Sequence, residues 1–289
     1  MKNIRIIPRL DIKGPNLVKG IHMEGLRVLG NPIEVAKTYY EQGADEIFFQ
    51  DVVASLYGRN SLTAFIKEIA SEIFIPLTVG GGIRTLEDIH DILRNGADKV
   101  AINTAAVKDP DLIRKAANKF GSSTIVVSIE VIKQSDGKYL IFTDNGREST
   151  GIEAIFWAKK MEQQGAGELI ITSVDQEGTG TGHDCLLTRM ISECVSIPVI
   201  AHGGAGRWEH VKDVIIDGKA DAVAIASLLH YDPPMLTLAT QSIRRSEGNV
   251  EFLKNNLSLL NLKTLSLPSL KEHLFHSKIN CRIEKILPL

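Results

Sequence analysis

The chain repeats itself. Gly43-Ala44-Asp45-Glu46 returns 122 residues later as Gly165-Ala166-Gly167-Glu168, and Gly81-Gly82 returns at the same offset as Gly203-Gly204. The stretch Ala97-Asp98-Lys99-Val100-Ala101-Ile102-Asn103-Thr104 aligns 123 residues on with Ala220-Asp221-Ala222-Val223-Ala224-Ile225-Ala226-Ser227. The fold therefore has to be one that two related halves complete together.

Short apolar runs at Ile4–Leu10, Glu46–Phe49, Ile75–Val79, Lys99–Ile102, Thr124–Ile129, Leu169–Ile171, Ile197–Ala201 and Ala222–Ile225 read as strands, and amphipathic helical patterns separate them. Strands apolar on both faces and alternating with helices predict a parallel sheet. Eight such units in about 245 residues fit a closed (β/α)8 TIM barrel of two half-barrels better than an open doubly wound sheet, because closure leaves no edge exposed. We assign residues 1–247 to the barrel. Residues 248–289, rich in Leu, Asn and Ser with Pro268 in their midst, belong to neither repeat and read as a C-terminal extension, either short helices packed on the barrel or a partner-binding appendage.

Composition narrows the function classes. With 44% apolar and 24% charged residues the chain is globular, and 33 Lys and Arg against 35 Asp and Glu supply no basic surface for nucleic acid. No run approaches 18 apolar residues, and Arg9 and Asp11 interrupt the start before a signal-peptide core forms, so a cytosolic protein is expected. Cys185, Cys194 and Cys281 lack zinc-site spacing and read as ordinary thiols; no metal or cofactor is expected.

Gly80-Gly81-Gly82 follows a strand and precedes a helix, where glycines let backbone amides approach an anion. Asn103 and Thr104 end the next strand at the same rim. The second half repeats this with Gly203-Gly204 and Ala226-Ser227, and phosphate in barrels commonly sits after strands seven and eight. The duplicated cradles predict a substrate with phosphate at both ends. Gly178 and Thr179, in a glycine-rich loop, are placed beside the second phosphate, and Lys19 returns over the mouth as a substrate contact.

Asp11 ends the first strand and Glu130 holds the corresponding place on the fifth. The pair predicts an acid and a base on opposite walls of one cavity. At the other end, Arg5, Glu46, Lys99 and Glu168 start strands one, two, four and six, and so form a candidate closed ring of two cations and two anions around the axis.

On these residues, and on RIIPRLDIKG, VKG at 18–20, PLTVGGGI at 76–83, GADKVAINTAAV at 96–107 and GAGELIITSVDQEGT at 165–179, the chain resembles the cyclase subunit of imidazole glycerol phosphate synthase from about Ile4 to Arg245. It resembles the phosphoribosyl isomerase barrel of histidine biosynthesis more weakly. The resemblance implies a lyase that receives ammonia from a separate glutaminase subunit, as a heterodimer docked on the N-terminal face near Asp98 and Lys99. Ammonia then passes the gate of Arg5, Glu46, Lys99 and Glu168. At the far mouth it meets a bis-phosphorylated ribulosyl formimino aminoimidazole carboxamide ribotide, giving imidazole glycerol phosphate and aminoimidazole carboxamide ribotide. Asp11 matches the first catalytic acid; Gly82, Asn103 and Thr104 match one phosphate site, and Gly178, Gly204, Ala226 and Ser227 the other.

The chain departs from the family pattern at its active mouth. Glu130 stands for an aspartate, Arg9 for a cysteine, Gln176-Glu177 for Arg-Asp and His202 for a serine, whereas the gate is intact. The longer Glu130 arm displaces its carboxyl by about 1 to 1.5 Å, a shift that can cost about 10²-fold in rate. Two other readings stay open: a paralogue that channels ammonia to another substrate, such as a surface-glycan sugar undergoing amidination, and a catalytically silent glutaminase-binding scaffold.

Overall fold

The computed structural model describes residues 2–53, 63–241 and 262–283. Of the predicted extension, residues 248–261 and 284–289 lie outside that set.

Twelve strands run in chain order: β1 (Arg5–Lys13), β2 (Asn16–Ile21), β3 (Glu24–Gly30), β4 (Ile47–Asp51), β5 (Leu77–Gly80), β6 (Lys99–Ile102), β7 (Ile125–Lys133), β8 (Tyr139–Thr143), β9 (Glu148–Glu153), β10 (Glu168–Ser173), β11 (Val199–His202) and β12 (Ala222–Ile225). Eight of them close a parallel barrel in the order β1, β4, β5, β6, β7, β10, β11, β12, with β12 returning to β1 and β10 pairing with β7. Helices separate successive barrel strands, so the predicted (β/α)8 architecture stands.

The two long strands of the barrel, β1 and β7, each continue beyond it into an antiparallel hairpin, β2–β3 and β8–β9 respectively. The duplication therefore extends to a feature the apolar runs did not reveal. Both hairpins rise from the C-terminal rim, beside the ends of Asp11 and Glu130.

Two layers of packing follow from the period of two along each strand. On β1, Ile6, Leu10 and Ile12 face the helices and join the large core between sheet and helix ring. Ile7 faces inward with Phe48, Ala101, Val126, Ile170, Ile200, Ala222 and Ala224, a small apolar plug on the axis. Local signals fix the helix starts. Thr85 and Asp88 form a reciprocal capping box for the helix Leu86–Arg94, and Asn31 caps Pro32–Glu41, whose proline occupies the first turn where no N–H is needed.

Within residues 262–283 the helix Leu267–His276 packs on the barrel wall. Pro268 sits in its first turn rather than breaking it, and the Ser266 hydroxyl accepts from the Ser269 amide. Leu267, Leu270 and Leu274 are fully buried in the main core. The Lys271 ammonium, itself buried, donates to the Gly43 carbonyl at 2.6 Å and to Asp45 at 2.8 Å, and His273 stacks on Trp208. The Ile4 amide donates to the Asn280 carbonyl, so this segment finishes at the N-terminal rim.

Candidate active site

The charged ring closes as four ion pairs. Arg5 bridges Glu46 and Glu168, each at 2.7 Å, and Lys99 bridges the same two carboxylates, each at 3.0 Å. Thr78 donates a further bond to Glu46 at 2.6 Å. Every charge has two opposite partners, which is what burial of this kind demands. Burial works to lower the Arg5 pKa, yet Glu168 and Glu46 outweigh it and raise it. Asp98, next to the ring, accepts from the Leu77 amide at 2.8 Å.

Above the ring lies the apolar plug, with a void of about 10 Å³ bounded by Glu46, Thr78, Ile7, Phe48 and their neighbours. Arg9 covers it from the mouth side. The period of two along β1 places Arg9 inward, between Ile7 and Asp11. Its guanidinium lies 5.3 Å from the centre of the Phe48 ring, donates to Asp11 at 2.9 Å and reaches Thr172 of β10 at 3.4 Å.

Asp11 is held by two cations, Arg9 and Lys19, the latter at 3.3 Å. Burial favours its neutral form, but Arg9 and then Lys19 overcome that and hold the carboxyl well below the usual carboxylate range. No cation forms an ion pair with Glu130 among the described residues. Burial pushes its pKa up to about 7, against the opposing pull of the Gly146 amide, which donates to it at 2.7 Å, and of Arg9. One carboxyl is thus a committed anion and the other holds its proton near neutrality, the separation an acid–base pair requires.

The two carboxyls stand on opposite strands of the barrel, β1 and β7, but the two do not line one open cavity. Glu130 lines the larger mouth cavity, whereas Asp11, buried and paired with Arg9 and Lys19, lines neither mouth cavity. The predicted substrate contact Lys19 is itself buried and engaged, pairing with Asp11 and Glu177. A buried ammonium needs such partners, and its pKa is still lowered by burial.

The two cradles differ. Gly82, Asn103 and Thr104 line a cavity of about 320 Å³ together with Ser128, Glu130 and Asn145. Gly81 closes its back at φ +101°, where a Cβ would stand 2.3 Å from the Asp51 carbonyl oxygen. Gly178, Gly204, Ala226 and Ser227 also come together, but around only about 10 Å³ shared with Lys19, Glu177 and His202. Thr179 stays outside that lining; its hydroxyl donates to the Gln176 carbonyl and meets Thr181. The loop is drawn against β2–β3: Glu177 accepts from Lys19 and from the Met23 amide at 2.9 Å, and its carbonyl accepts from the His22 amide at 2.9 Å. Gly178 packs so closely that a Cβ would lie 2.5 Å from the Gly20 carbonyl oxygen.

Arg9, Glu177 and His202 are thus site residues that the sequence marked only as departures. Strand periodicity alone points Arg9 inward; nothing in the spacing foretold the Lys19–Glu177 pair.

Fold and site together define a (β/α)8 barrel with buried carboxyls and paired glycine turns at its C-terminal rim and an axial charged ring below, the architecture of the barrel enzymes. Residues 5–233 match the family described as histidine biosynthesis protein. The chain is 57% identical over 209 residues to imidazole glycerol phosphate synthase subunit HisF of Legionella pneumophila, an alignment covering 72% of this chain and 99% of that protein. The chain belongs to this histidine biosynthesis family.

Proposed function

We propose that this chain is the cyclase subunit of an imidazole glycerol phosphate synthase. It uses ammonia to convert the bis-phosphorylated ribulosyl formimino aminoimidazole carboxamide ribotide into imidazole glycerol phosphate and aminoimidazole carboxamide ribotide. The observation that carries the reading is the placement of Asp11 and Glu130 toward the ends of opposite barrel strands, above an axial plug and a closed charged ring.

The open cradle of Gly82, Asn103 and Thr104 receives one phosphate, which brings the middle of the substrate against Glu130. Glu130, protonated near neutrality, gives its proton to the leaving nitrogen or oxygen. Asp11, ionised, takes the proton that the incoming ammonia nitrogen must lose as it bonds to carbon. Substrate anions compete for Arg9 and Lys19, which frees Asp11 to act. A glutaminase subunit docks at the N-terminal rim around Asp98 and Lys99 and delivers ammonia beneath the ring of Arg5, Glu46, Lys99 and Glu168. The protein works in the cytosol.

The test supplies the purified chain with the ribulosyl substrate and an ammonium salt. Cyclised product is expected, with Asp11→Asn and Glu130→Gln each losing at least about 10²-fold in kcat. If the native chain forms no product and Glu130→Asp creates activity, the histidine-pathway assignment fails. The small second cradle, narrowed by Glu177, would then favour a paralogue delivering ammonia to a substrate with one phosphate.

A further inference from the structure

The second cradle contains a buried polar atom that no described residue satisfies. His202 ends β11 and lines this cradle with Gly203, Gly204, Ala226 and Ser227. Its Nδ1 lies 3.0 Å from the Ala224 carbonyl oxygen, and because a carbonyl only accepts, Nδ1 carries the hydrogen. In the neutral ring Nε2 is then a bare lone pair. Nε2 is fully buried and has no hydrogen-bond partner among the described residues. A buried acceptor left unmet is costly, so such an atom points to a ligand that brings a hydrogen.

The charged groups facing His202 keep the ring neutral. Burial acts first, then Arg9 and Lys19, and together they hold the imidazole well below its ordinary pKa against the opposing pull of Asp11. The remaining charged neighbour in the cradle is Glu177, whose carboxylate is a second acceptor already spent on Lys19 and the Met23 amide. A phosphate dianion brings only acceptor oxygens, and set against Nε2 it leaves two lone pairs opposed with no hydrogen between them.

We propose that His202 is a specificity-determining residue of the second cradle: through Nε2 it selects a ligand end that brings its own hydrogen, either a singly protonated phosphate or a hydroxyl, over a phosphate dianion. This deepens the cyclase reading and rests on it for the bis-phosphorylated ligand. A serine at this position would donate as well as accept and impose no such choice.

Titration calorimetry of the full chain, without ammonia or glutamine, tests the proposal at pH 6.5 and 8.5. The probes are the bis-phosphorylated ribulosyl substrate and its two analogues, each with one phosphate replaced by hydroxyl. The second ionisation of a phosphate monoester lies near pH 6, so the singly protonated form falls about tenfold per pH unit above it. The native chain is expected to bind the bis-phosphate close to 100-fold more weakly at pH 8.5, and to bind the analogue that places hydroxyl on His202 within about threefold at both pH values. His202→Ser is expected to bind the bis-phosphate within about threefold at both. Pairwise comparison of native and variant isolates His202 from Lys19, which faces the same ligand. Bis-phosphate affinity that is flat with pH in the native chain, or an unchanged slope in His202→Ser, overturns the inference and leaves the cyclase reading in place. Binding of the hydroxyl analogue alone supports the inference and removes the bis-phosphate as substrate. Failure of all three probes to bind overturns both.

Discussion

Replacing Glu130 by glutamine should stabilise the protein at alkaline pH even as it removes an acid from the site. Glu130 is buried, and its pKa stands at about 7 instead of the ordinary 4.5. The folded chain therefore holds this proton more tightly than the unfolded chain does, and folding stability declines as pH rises through the interval between the two values. At about 1.4 kcal/mol per pH unit, the decline amounts to about 3 kcal/mol, complete by pH 8.5. The stability is fully present below pH 4.5 and is lost as pH climbs through 7. Glutamine is isosteric, cannot ionise, and keeps an oxygen to accept from the Gly146 amide. Urea unfolding of the native chain and Glu130→Gln at pH 4.5 and 8.5 reads the effect as a difference of differences, in which all other titrating groups cancel. The variant is expected to gain about 3 kcal/mol on the native chain between those pH values. An equal gap at the two values refutes the reasoning, because it means that Glu130 is not held protonated by burial.

Other consequences are open to test. Lys99→Met leaves Glu46 and Glu168 with one cation where they had two, and should cost about 3 kcal/mol in chemical denaturation, with the loss partly recovered in a Lys99→Met, Glu168→Gln double variant. Leu270→Ala removes a fully buried side chain of the Leu267–His276 helix and should lower stability by about 2 to 5 kcal/mol; a loss under 1 kcal/mol would mean that this helix is dispensable to the barrel. Gly81→Ala forces a Cβ toward the Asp51 carbonyl at a positive φ and should weaken substrate binding at the open cradle in calorimetry, alongside a stability loss of at least about 1 kcal/mol.

Much of this protein is written locally. The eight β/α units, the pair of glycine turns and the four ring charges each depend on spacing within one segment or on equivalence between the two repeats, and strand closure then places Arg5, Glu46, Lys99 and Glu168 together without further information. Tertiary structure decided what the repeat conceals, namely that the halves are unequal. Asp11 and Glu130 occupy equivalent positions, but Arg9 and Lys19 pair with the first, so one carboxyl is held ionised and the other titrates near neutrality. Gly82 and Gly204 are likewise equivalent, yet Glu177 is drawn into the second cradle by Lys19, a partner 158 residues away. Periodicity cannot anticipate such pairings, because the protonation of a buried group and the volume of a cavity are set by side chains that meet only once the barrel has closed.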